Sequence, residues 1–276
     1  MNASQVPPLP LPEYRPKSFH SLWKLLGESD AGLEWLEVAV RELLRRHRDN
    51  GAADTQALAH FHAVRVNDLN AEAVRDHWSR LQVITVAQYV ELFLDRFHAE
   101  IIRDTRVRQS KEDLVTYTLD IYKVKKATVG ELQCNILDYY RKIRNHFVHD
   151  PSAEDPKMLV RQAEALRSLI AKGGTSYGSL SAPNAPASVS FDDFILFSRA
   201  LKDFSKGLCS AVSPTQEELR LKITADARAM MTMRRPNTPE RRTKFLANYI
   251  RQHFGFHSTA ESIAEKLLLE GLLAQR

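Results

Sequence analysis

Cysteine is scarce in this chain. Only Cys134 and Cys209 occur among 276 residues, far apart and each in an apolar setting. That spacing excludes a disulfide framework and a thiolate zinc site, and it makes a reducing cytoplasm the expected home. Long apolar runs are absent as well, and the start, "MNASQVPPLPLPEYRP", lacks a basic stretch followed by an apolar one. Neither secretion nor a membrane span is therefore expected. A strong excess of one charge is also missing: 39 Lys and Arg against 34 Asp and Glu leave a net +5. That balance permits a nucleic-acid partner without requiring one. No glycine-rich phosphate loop occurs, so any energy-dependent trigger has to come from another protein.

What the chain does have is helical signal, and with 43% hydrophobic residues it can bury a substantial core. The stretch "SDAGLEWLEVAVRELLRRHRDNG" predicts an amphipathic helix capped by Ser29 or Asp30, with Leu33, Leu36, Val40, Leu43 and Leu44 at helical spacing and a stop at Asn50-Gly51. A shorter helix is expected over "AADTQALAHFHAVRV". One or two long ones follow from about Asn70, the strand-prone "VITV" included, because no turn residue interrupts the window. Later helices are expected from near Pro156 to Ala171, over "FDDFILFSRALKDFSKGLCSAV", from Thr238 with Pro239 in the first turn, and from a Ser258/Glu261 capping box. Between them, "KGGTSYGSLSAPNAPASVS" reads as a flexible linker. No strand and no internal repeat is expected, so the fold class is all-α.

One octet concentrates chemistry: "RNHFVHDP", residues 144–151. Leu132, Ile136, Tyr140, Ile143 and Phe147 ahead of and within it form one stripe roughly 80° wide on a helix. Phe147 and Val148 are expected in the core. Pro151 should end the helix close to His149, where unpaired carbonyls favour a protonated imidazolium able to donate a proton. Arg144 offers a permanent, forked cation matched to phosphate. Arg and His suffice for metal-free RNA cleavage, in which the ribose 2′-hydroxyl attacks the adjacent phosphorus. In a regular helix, however, Arg144 and His149 project about 140° apart. Either two copies of the helix meet on a two-fold axis, or the helix unwinds ahead of Pro151.

An arginine, a polar residue and a histidine at this spacing, on an apolar-striped helix preceded by "AQYVELFLDRF", resemble the HEPN superfamily of nucleotide-binding and ribonuclease domains. The likeness spans roughly residues 75–210. It implies an all-α bundle working as a homodimer and a metal-independent, cofactor-free endoribonuclease. Arg144 would hold the scissile phosphate, His149 would act in proton transfer, and Asn145 would position one of them. It further implies a toxin or antiphage effector cutting cellular RNA, with an antitoxin or defence-system protein as a possible partner. Other members of that family are non-catalytic RNA- or protein-binding modules, which is the alternative expectation. A plain helical adaptor that engages another protein is a third.

Around the octet, Glu91 on the preceding helix is a supporting candidate, able to orient Arg144 or move a proton, or else a solvated acid. His146 is a second, more readily read as structural. Arg144 could equally form an ordinary ion pair with Glu91 or Asp138. Arg106, Arg108, Lys125 and Lys126 could contact an RNA backbone from the loops, and Arg241 and Arg242 from the C-terminal part. No metal site is expected, since His60 and His62 alternate on a helix and lack a third ligand. The expected organisation is a proline-rich tail (1–18), an N-terminal helical extension (19–75), a bundle (76–212, with its linker at about 173–190) and a basic helical C-terminal module (213–276).

Overall fold

The computed structural model describes residues 13–66, 71–101, 113–149, 155–173, 177–234 and 238–272. Among them are twelve α-helices and no strand, so the chain is an all-α helical bundle. In chain order the helices are α1 (Lys17–Asn50), α2 (Ala52–Phe61), α3 (Ala71–Ile101), α4 (Leu114–Ile121), α5 (Lys126–Val129), α6 (Glu131–Val148), α7 (Pro156–Lys172), α8 (Phe191–Ala211), α9 (Gln216–Ala225), α10 (Ala227–Arg234), α11 (Pro239–Phe254) and α12 (Ala260–Leu269).

Helix α8 is the centre of the bundle, with α3, α6, α5 and α1 against it. Its sequence places Phe194, Phe197, Leu201, Phe204 and Leu208 on one side at helical spacing, and all five are buried. Each such side chain withdrawn from water contributes about 1.5–3 kcal/mol, which makes this face the main source of cohesion. Gly207 lets α5 come close: a Cβ there would lie 2.4 Å from the Val129 carbonyl oxygen. That approach fixes the start of α6, the helix carrying the octet.

Three expectations are corrected. Helix α1 starts at Lys17, so Ser29 and Asp30 lie inside it rather than at its cap. The cap comes from far along the chain: both carboxylate oxygens of Glu100 accept hydrogen bonds, from the Lys17 and Ser18 backbone N–H groups at 2.8 Å. Asp30 instead accepts from Lys202 at 2.6 Å and Ser198 at 2.9 Å, both on α8. Helix α12 begins at Ala260 without the expected capping box, because Glu261 pairs with Arg251 at 2.9 Å.

The third correction concerns the segment read as a linker. Its described part, residues 177–190, lies against the bundle, with Tyr177, Ala182, Pro186 and Val189 buried. Asp193, fully buried in the first turn of α8, accepts from the Tyr140 hydroxyl, from the Asn184 backbone and side chain, and from Ser190. These bonds satisfy loop polar groups that would otherwise bind water, so a Gly, Ser and Pro-rich stretch can be internal. Elsewhere the sequence reading holds: α11 opens with Thr238 as N-cap, its hydroxyl accepting from the Arg241 N–H, and ends at the left-handed Gly255. Helices α9–α12 pack on one another, and the N-terminal segment reaches them through an Arg15 N–H to Gly255 carbonyl bond of 2.9 Å and Tyr14 against Phe256.

Candidate functional site

Helix α6 positions the octet through a buried face of Cys134, Ile136, Leu137, Tyr139, Tyr140 and Ile143. Phe147 is partly buried at the edge of the core, whereas Val148 is 45% exposed and not a core residue as expected. His149 is the C-terminal cap, with φ −106° and ψ −76°, and its N–H still bonds the Asn145 carbonyl at 3.0 Å.

At this helix end Arg144 and His149 meet within one chain. The Arg144 Nη1 lies 2.8 Å from His149 Nε2 and donates to Asn145 Oδ1 at 3.2 Å. Arginine has only donors, so in a hydrogen bond between the two the acceptor is Nε2 of His149. Arg144 is half-buried, its Nε makes no hydrogen bond among the described residues, and the exposed edge of its fork points to the octet.

The three bases of this part of α6 have different fates. Arg141 pairs with Asp138 at 2.7 Å and approaches Asp113 at 3.5 Å, and Lys142 pairs with Asp138 at 2.8 Å. Burial works against the charge on Asp138, but Lys142 and Arg141 outweigh it and hold the carboxyl below its usual range. Of the two acids considered for Arg144, Asp138 is thus engaged elsewhere. Glu91 on α3 is the neighbour, with Oε1 4.0 Å from Nη2 and its side chain 47% exposed. Arg144 is the base whose carboxylate is farthest away.

His146 turns aside, its ring 5.9 Å from that of Phe147. Together with Arg80, Pro156, Val160 and Pro186 these two line a cleft of about 360 Å³, and the Arg80 guanidinium sits 5.1 Å over the Phe147 ring. Nothing in the sequence pattern singled out Arg80, which comes from the start of α3 through tertiary packing alone. Lys125 and Lys126 are exposed at the start of α5 and, with Lys123 and Asp120, line a second cleft of about 540 Å³. Arg241 and Arg242 lie in the first turn of α11, which packs on α10 and α12. Arg106 and Arg108 lie outside the described residues. Both cysteines are buried, and burial pushes the Cys134 thiol up to about 11 and that of Cys209 higher still. Neither is a thiolate nucleophile at neutral pH.

Among the described residues no group of three or more His, Cys, Asp or Glu could hold a metal ion, and no helix is long and apolar enough to cross a membrane. No protein-family model matches the chain, and no curated protein or solved structure is significantly similar to it.

Proposed function

We propose that this chain is a metal-independent endoribonuclease of the HEPN type, with Arg144, Asn145 and His149 as its working residues. The observation that supports this most is the 2.8 Å contact between Arg144 Nη1 and His149 Nε2, which presents a phosphate-matched cation and a proton-accepting imidazole side by side on an exposed helix end. A structural role for either residue needs no such pairing of two donor- and acceptor-matched groups at the surface.

In the proposed reaction, a phosphate of RNA takes Arg144 Nη1 away from His149, and the freed His149 Nε2 accepts the proton of the adjacent 2′-hydroxyl. The 2′-oxygen attacks phosphorus, the bond to the 5′-oxygen breaks, and that oxygen takes a proton as it leaves. Arg144 offsets the charge building on the non-bridging oxygens. Asn145, which accepts from Arg144 Nη1 through Oδ1, helps position the guanidinium. The leaving 5′-oxygen takes its proton from water, and the homodimer that the family resemblance implies is not required for this step. Glu91 holds the inner edge of the fork. Contact of Lys125 and Lys126 with the RNA backbone is part of this proposal, while the toxin or antiphage setting and any antitoxin partner rest on the resemblance alone.

The chemistry makes a specific demand on substrate. An RNA oligonucleotide is cut to a 2′,3′-cyclic phosphate and a 5′-hydroxyl, and the same sequence without 2′-hydroxyls stays intact. Products ending in 5′-phosphate contradict the mechanism, and tight binding of uncut RNA replaces it with the binding-module reading.

A further inference from the structure

The second half of α1 exposes more apolar surface than its neighbours cover. Phe19, Leu22 and Leu26 in the first half are buried, but no side chain between residues 31 and 50 is. Glu37 marks the inward side, accepting from Trp78 Nε1 at 2.8 Å and Gln82 Nε2 at 3.4 Å on α3. The opposite side carries Trp35, 78% exposed, and Val38, 63% exposed. Trp35 and Val38 together give that side an exposed apolar patch that a partner can cover.

The exposed positions on that side follow a strict rhythm. Lys24, Glu28, Trp35, Val38, Arg45 and Asp49, with Ala31 and Glu42 between them, are all exposed and step alternately by four and three residues. This is the 3.5-residue spacing of a coiled-coil seam, here about 37 Å long. The spacing is also the same read in either direction, mirrored about the point between Leu36 and Glu37.

We propose that this face binds a second copy of the chain, with the two α1 helices antiparallel about a two-fold axis passing between Leu36 and Glu37. The charges select that arrangement. Antiparallel, Lys24 meets Asp49, Glu28 meets Arg45, Trp35 meets Val38 and Ala31 meets Glu42, each pairing occurring twice. A parallel pair in register would set every one of those charges against its own copy. Sliding the antiparallel pair by one heptad leaves at most one opposite-charge match in each half of the seam. Within one chain Lys24 already lies 3.9 Å from Glu28, and Arg45 lies 2.8 Å from Glu42 and 2.9 Å from Asp49. The second copy joins these exposed pairs into two larger networks, one at each end of an apolar centre. This surface is separate from the octet, and its existence does not depend on the ribonuclease reading.

Sedimentation velocity of the full chain over about two decades of concentration tests it. The wild type is expected to associate, and Trp35→Glu to weaken that association by at least about tenfold with helicity by circular dichroism unchanged. Glu28→Arg and Arg45→Glu alone should each weaken it by about tenfold, because each sets like charges together. The double variant Glu28→Arg/Arg45→Glu re-forms both pairs with signs exchanged and should recover most of the affinity. A wild type that stays monomeric overturns the proposal in favour of a different protein on this face. Unaltered association of Trp35→Glu overturns it too, and a double variant as weak as the singles overturns the antiparallel register.

Discussion

Residues 177–190 and the second half of α1 reverse what their compositions promise. The first is made mostly of Ser, Ala, Pro, Gly and Asn, yet it buries Tyr177, Ala182 and Val189. The second is rich in Leu, Val and Trp, yet it leaves Trp35, Leu36 and Val38 exposed. The difference lies in polar satisfaction and neighbours rather than in hydrophobicity. Asp193 and the tyrosine hydroxyls give the loop's N–H and side-chain groups internal partners, so it can leave water. Helix α1 satisfies its own backbone and needs no such partner to persist as it runs out past the end of the core.

The comparison breaks most sharply at Asp193. Asp193→Ala strands several buried donors at once, and a loss of at least about 3 kcal/mol is expected, or roughly 6–12 °C in Tm. Thermal denaturation measures it, and limited proteolysis should show new cleavage within 177–190 as the segment becomes the linker its composition suggests. An intact loop in that variant would mean that apolar burial alone holds it. Tyr177→Phe is a gentler version, since it removes one hydroxyl that donates to Asp203 at 2.6 Å and accepts from Gln133 at 3.1 Å. About 1 kcal/mol, or roughly 2–4 °C, is the expected cost in the same assay. On the other side of the comparison, Trp35→Ala at a concentration low enough to keep the chain monomeric should change stability by no more than about 0.5 kcal/mol. A large loss there would show that Trp35 packs within its own chain.

Much of the fold was legible in the sequence because helical periodicity and end signals are local. The α6 stripe, the stop before Pro151, Thr238 with Pro239 and the helical reading of "VITV" all belong to this kind. What was hidden is long-range: the Glu100 carboxylate that caps α1, Asp30 held by α8, and Arg80 brought over Phe147. The octet was legible as a set of residue types, and its geometry only in part. The conflict between five-residue spacing and a shared face was visible beforehand, but which resolution applies depends on how the long Arg144 side chain reaches His149 at the helix end, which no pattern reports. Val148 was misplaced because it lies about 100° around the helix from Phe147, off the buried stripe.

The central claim, that Arg144 and His149 act together on RNA, is tested most directly by incubating cellular RNA with purified wild type, Arg144→Ala and His149→Ala in the presence of EDTA. Both residues are at a partly exposed helix end, so the variants should remain folded by circular dichroism. The account predicts fragments from the wild type alone, with each variant reduced by at least about a hundredfold. Equal cleavage by all three, or none by the folded wild type as a dimer, would contradict it.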